Sequence, residues 1–97
     1  MVKSITIVGK RWFQKSYGNT YHTATIVVDG EPVEGVERSY GYGDHYIQSA
    51  TEKLDELGII KRKTFPNGSS EPLWQYCRRL GIKYHYEAAN VDRQRDL

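Results

Sequence analysis

Two stretches of this chain gather the side chains that bind anions and planar rings. The first runs Arg11-Trp12-Phe13 with Lys15, then Tyr17-Gly18-Asn19-Thr20-Tyr21-His22; the second is Tyr40-Gly41-Tyr42-Gly43-Asp44-His45-Tyr46. Interleaved bases and rings are the mixture that single-stranded nucleic-acid platforms use. The bases neutralise phosphate, and the rings stack on nucleobases at roughly 1–3 kcal/mol each. Glycines just before a helix also let backbone N–H groups approach a phosphate, although Asp44 stands where that anion would sit. The candidate binding residues are therefore Arg11, Trp12, Lys15, Tyr21 and His22 from the first stretch, and Tyr40, Tyr42, His45 and Tyr46 from the second. A competing reading of the second stretch is a tight strand-to-helix connection whose tyrosines cover a small core.

Other chemistry is poorly supplied. Among His22, His45, His85 and Cys77 no two stand at ligand spacing, so no metal and no cofactor is expected. A paired-histidine nuclease would need His22 and His85 on one sheet face near a lysine such as Lys83; the expectation is a non-catalytic protein. A single cysteine excludes an internal disulfide and fits a reducing cytoplasm. No apolar run approaches the roughly 20 residues of a membrane helix, and Met1–Val8 is too short and alternating for a signal peptide. The chain reads as soluble and cytoplasmic, with no membrane partner.

The elements that position these residues follow from periodicity. Ser4–Val8 alternates as a strand, which Gly9 bulges before it resumes through Lys15. Thr, Ile and Val enrich 21–28, Asp29-Gly30 is a strong hairpin signal, and Glu31–Tyr40 returns with Pro32 and Gly35 keeping it near an edge. Alternation sends Trp12 and Phe13 to opposite faces, so one is exposed unless a helix or second subunit covers it. Asp44 then caps a helix with Ile47, Ala50, Leu54 and Leu57 on one face and Gly58 as its left-handed end. Ile59–Lys63 reads as a short strand or an extended segment. Ser70 caps a second helix, with Glu71 at its positive end, Leu73, Tyr76, Cys77 and Leu80 inward, and Gly81 as its stop. Ile82–Val91 alternates as a last strand.

The expected fold is α+β: an antiparallel sheet, made of a three-stranded N-terminal meander plus a C-terminal strand, with two helices packed on one face. Residues 1–91 form a single domain and 92–97 a polar tail. At 38% hydrophobic and 27% charged residues the chain is globular, and at 97 residues its core is small. Net charge is +2 but unevenly spread: bases dominate 1–28 and 57–83, and acids dominate 29–56. Lys61-Arg62-Lys63 and Arg78-Arg79 suit phosphate contact or a plain solvated face.

From Tyr21 to Gly58 the order hairpin, third strand, helix resembles the second half of a double-stranded-RNA-binding domain, with Tyr21–Gly30 as the hairpin and Ala50, Leu54 and Leu57 as the buried helix face. Where that family places phosphate-clamping lysines, this chain has Asp44, His45 and Tyr46, so the resemblance implies architecture alone. Over nearly its whole length, Gly9–Phe13, Gly18–His22, Tyr40–Tyr46 and the closing Asp96-Leu97 resemble a family of small bacteriophage and prophage proteins. That resemblance implies action in the host bacterial cytoplasm on nucleic acid, a nucleotide or a host protein.

The leading expectation is thus a small phage-type binding protein that engages nucleic acid or a nucleotide through a basic and aromatic surface. The alternative is an inhibitor of a host enzyme or defence system, with Glu31, Glu34 and Glu37 as its acidic face toward a host protein. A small open sheet with exposed rings also suits a homo-oligomer.

Overall fold

The computed structural model describes all 97 residues. Strand β1 (Ser4–Gln14) turns into β2 (Asn19–Val28), and Asp29-Gly30 leads into β3 (Glu31–Tyr40). Helix α1 (His45–Glu56), an irregular segment, α2 (Leu73–Leu80), β4 (Lys83–Val91) and a 3₁₀ turn (Gln94–Asp96) follow. The meander is the one expected: β1 pairs antiparallel with β2, and β2 with β3. Asp29 at φ 53° and Gly30 at φ 80° supply the two left-handed residues that a tight hairpin turn requires. The Asp29 carboxylate also accepts from the N–H groups of Lys3 (2.7 Å) and Ser4 (2.9 Å), tying the turn to the start of β1. Those two bonds hold its carboxyl below the usual range.

The sheet is mixed, which corrects the wholly antiparallel expectation. Its order is β3-β2-β1-β4, and β4 runs parallel to β1, from Lys83 beside Ser4 to Val91 beside Trp12. Alternation specifies a strand and its faces but carries no direction. The crossover sets direction: the chain leaves β3, passes through the helix layer, and re-enters beside the start of β1, where the Lys83 N–H donates to the Lys3 carbonyl at 2.9 Å. Nor is Gly9 a bulge. The β1–β2 register is unbroken from Ile5 to Gln14, and the irregularities lie between β2 and β3, around Ala24. Gly9 is glycine for space, because a Cβ there would run into the Tyr46 ring.

Odd positions of β1 face the helices. Ile5 and Ile7, with Ala24 and Ile26 from β2, meet Tyr46, Ala50 and Leu54 of α1 and Leu73, Tyr76 and Cys77 of α2 in one core. The buried face of α1 is Tyr46, Ala50, Thr51 and Leu54, rotated from the expected stripe; Ile47 is half-buried and Leu57 exposed. Tyr46 turns inward because Gly9 leaves room for it. Asp44 takes the N-cap position without a side-chain capping bond, at φ −91° and ψ 14° rather than in the extended region a cap prefers. The N-cap of α2 is Pro72 and not Ser70. Both helices end as expected, with Gly58 and Gly81 left-handed, and the next N–H reaching back to Leu54 and Cys77 carbonyls at 3.0 and 2.8 Å.

Glu71, expected at the positive end of the second helix, is 1% exposed. Its carboxylate accepts from Arg79 at 2.8 and 2.9 Å and from the Lys63 N–H at 3.2 Å. The Arg79 guanidinium, foremost, holds its carboxyl down at about 2. Arg62 donates to Asp55 and to the Glu71 carbonyl, so the 61–71 segment is pinned to both helices. Two of the bases in the central basic run and the arginine pair are thereby occupied internally.

Candidate functional site

Helices cover one sheet face and leave the other open. Even positions of β1 point to that open side, so Lys10 and Trp12 lie there while Arg11 and Phe13 lie on the helix side. Register then does what sequence spacing alone cannot. Trp12 stands opposite Tyr21, and Tyr21 opposite Tyr40, placing three rings in a row across β1, β2 and β3. Trp12 and Tyr21 stack with centroids 5.9 Å apart and planes 25° apart; Tyr21 and Tyr40 meet edge-on at 5.8 Å. Arg38 lays its guanidinium over Tyr21 at 5.9 Å. Tyr40 is 61% exposed, and Trp12 and Tyr21 are half-buried by each other. Thr23, Thr25 and Ala89 continue the face with small side chains, so the rings stand on a flat surface.

Three further residues gather on the helix-side rim. Arg11 donates to the Asn90 side chain at 3.1 Å and to the Gly43 carbonyl at 3.0 Å, and with Lys15, Phe13 and Tyr42 it lines a groove of about 620 Å³. This groove is separated from the ring row by the thickness of the sheet, so the nine candidates do not form one surface.

The remaining three brace the Gly41–Tyr46 connection. His22 is fully buried and Tyr46 is 2% exposed, so neither presents a ring to a ligand. His22 Nδ1 lies 3.1 Å from the Gly41 carbonyl, which can only accept, so this nitrogen carries the proton. Nε2 then accepts from the Ser49 hydroxyl at 2.8 Å, and Ser49 lies 3.4 Å from Nδ1 of the exposed His45. Burial, ahead of the nearby His45, pushes the His22 pKa down and keeps the ring neutral, opposed by the Gly41 bond. Burial likewise raises the Tyr46 hydroxyl.

Sequence reasoning missed several residues. Arg38 was legible, because it stands two residues before Tyr40 and so shares its face in a regular strand. Arg93 and Arg95, in the expected polar tail, line a shallow, open depression of about 750 Å³ with Thr23, Glu37 and Arg38. A second aromatic group, Trp74, Tyr84 and Tyr86, lines a cleft of about 580 Å³ between α1, the 62–72 segment and β4. Asp44 and Glu52 lie at this cleft with Arg62, whose guanidinium is held by Asp55. On the β3 edge, Glu31, Glu34 and Glu37 are exposed, with Glu34 3.5 Å from Lys53.

No three His, Cys, Asp or Glu side chains lie close enough to hold a metal ion, and no helix is long and apolar enough to cross a membrane. No protein-family model, no curated protein and no solved structure matches this chain.

Proposed function

We propose that this protein binds single-stranded nucleic acid on its open sheet face, with Trp12, Tyr21 and Tyr40 as stacking surfaces and Arg38 and Lys10 as the nearest cations. The observation that carries the reading is the row of rings across three strands, with an arginine over its centre. Bases paired in a duplex keep their faces covered, whereas an unpaired strand can lay successive bases on such a row. A flat surface also suits a polymer better than an isolated nucleotide, which gains more from a deep pocket. Arg11, Lys15 and Tyr42 lie across the rim from this face and would meet only a strand that wraps the sheet end.

The acidic-edge reading has less behind it, because Glu34 is paired with Lys53 and Glu37 borders a depression that three arginines also line. The phage resemblance agrees with either class.

Fluorescence anisotropy of labelled single-stranded DNA and RNA, with a duplex of the same sequence as competitor, tests the proposal. The single strand is expected to bind at least tenfold more tightly than the duplex. Tyr21→Ala with Tyr40→Ala should weaken it by about 30-fold or more, since each lost stack is worth ~1–3 kcal/mol. Equal affinity of this variant and the parent would sink the reading.

A further inference from the structure

After β4 the chain bends back over the open face instead of leaving it. The 3₁₀ turn, closed by the Asp96 N–H on the Arg93 carbonyl at 3.0 Å, sets Arg93 and Arg95 at the border of the shallow depression that Arg38 and Thr23 also line. Leu97 is half-buried at the same border.

We propose that Arg38, Arg93 and Arg95 form a seat for a backbone phosphate of the strand whose bases stack on the adjoining rings; the seat rests on the stacking reading above. None of the three guanidinium groups makes an ion pair, whereas Arg62 and Arg79 are both spent on internal carboxylates. Glu37 is the single acidic side chain among the lining residues, against three arginines. Asp92 and Asp96 belong to the same tail but do not line the depression. Three arginines bordering one shallow depression give it a positive potential, and a phosphate there can accept forked hydrogen bonds from a guanidinium. Arg38 joins the two features. It lies over the Tyr21 ring and lines the depression, so a phosphate in the seat lies beside the ring row. A base that stacks on Tyr21 takes the place of the Arg38 guanidinium and turns it toward that phosphate. Lys10, the register partner of Thr23, adds a further cation at the margin. A phosphate is therefore held at one end of the ring row, and the bound strand acquires a direction.

Salt dependence separates seat from stack. Affinity for a labelled oligo(dT) strand is measured by anisotropy over a series of sodium chloride concentrations, for the parent, for Arg93→Gln with Arg95→Gln, and for Tyr40→Ala. Each single-strand phosphate contact contributes about 0.7 to the slope of log affinity against log salt. The arginine variant is expected to lose about 0.7 of slope, and Tyr40→Ala to lose affinity with its slope unchanged. An arginine variant with parental slope and affinity overturns the seat and leaves the stacking reading intact. A parent that binds no oligonucleotide removes the stacking reading, and the seat is then judged by pyrophosphate alone. Shifts of the arginine side-chain NMR signals confined to Arg38, Arg93 and Arg95 support it, and their absence overturns it. Equal affinity for 5′-phosphorylated and unphosphorylated strands is expected; a tenfold preference for the former would overturn the assignment to the backbone. Both tail arginines are exposed, so their replacement leaves the fold intact, as circular dichroism would verify.

Discussion

Each side of the sheet carries one tryptophan and two tyrosines in a group. Trp12, Tyr21 and Tyr40 lie on the open face beside Arg38, while Trp74, Tyr84 and Tyr86 lie in the cleft on the helix side beside Asp44 and Glu52. Ring content therefore says little about what either would take. Shape and charge distinguish them: one is flat and bordered by unshared arginines, and the other is concave and bordered by acids, its one arginine held by Asp55. The charge at the first favours an anion, and the carboxylates at the second oppose one. The two also differ in how they are held. The open-face rings lean on one another at the surface, whereas the cleft depends on how α1 and the 62–72 segment pack over the core.

The largest expected effect breaks the second without the first. Gly9→Ala drives a methyl into the Tyr46 ring and should cost ~1–3 kcal/mol in urea unfolding, as overpacking does. Single-strand affinity of the folded variant should stay within about twofold, because the open-face rings are on the other side of β1. A large loss of affinity would show that the two sides are coupled.

Acid probes the brace beneath the connection. His22 has a lowered pKa when folded, so the unfolded chain binds the extra proton more readily. Its contribution is present above the unfolded value near 6.5 and is lost as pH falls below it. Stability by thermal melting should decline from pH 7.5 to 5.5, and His22→Gln should flatten that decline. A decline equally steep in the variant would assign the sensitivity elsewhere.

The smallest expected effect is the sharpest label of the comparison. The two tryptophans report on the two regions separately. Trp74→Phe should leave fluorescence quenching by a single strand nearly unchanged, and Trp12→Phe should abolish most of it. The reverse pattern would move the binding face to the cleft.

Much of this architecture could be read from local pattern. Asp29-Gly30, Gly58 and Gly81 announce their turns because the required left-handed backbone is a property of those residues themselves. The direction of β4 could not be read, since alternation is the same whichever way a strand runs. The inward turn of Tyr46 was equally hidden, because its cause is a missing side chain at Gly9, remote in sequence. For the site, the individual rings Trp12, Tyr21 and Tyr40 stood out, but their alignment is a matter of register. The burial of His22 and the return of Arg93 and Arg95 to the sheet are long-range outcomes that no local spacing encodes.

The parallel pairing of β1 with β4 has a mechanical consequence. Ser4 lies at one end of this pair and Val91 at the other, with rungs from Ser4–Lys83 to Trp12–Val91 between them. Tension applied through those two points pulls the strands past each other lengthwise, loading all the rungs together. A hairpin pulled at its open end gives way one rung at a time. The strand pair that supports Trp12 is thus the part of the sheet best placed to resist stretching.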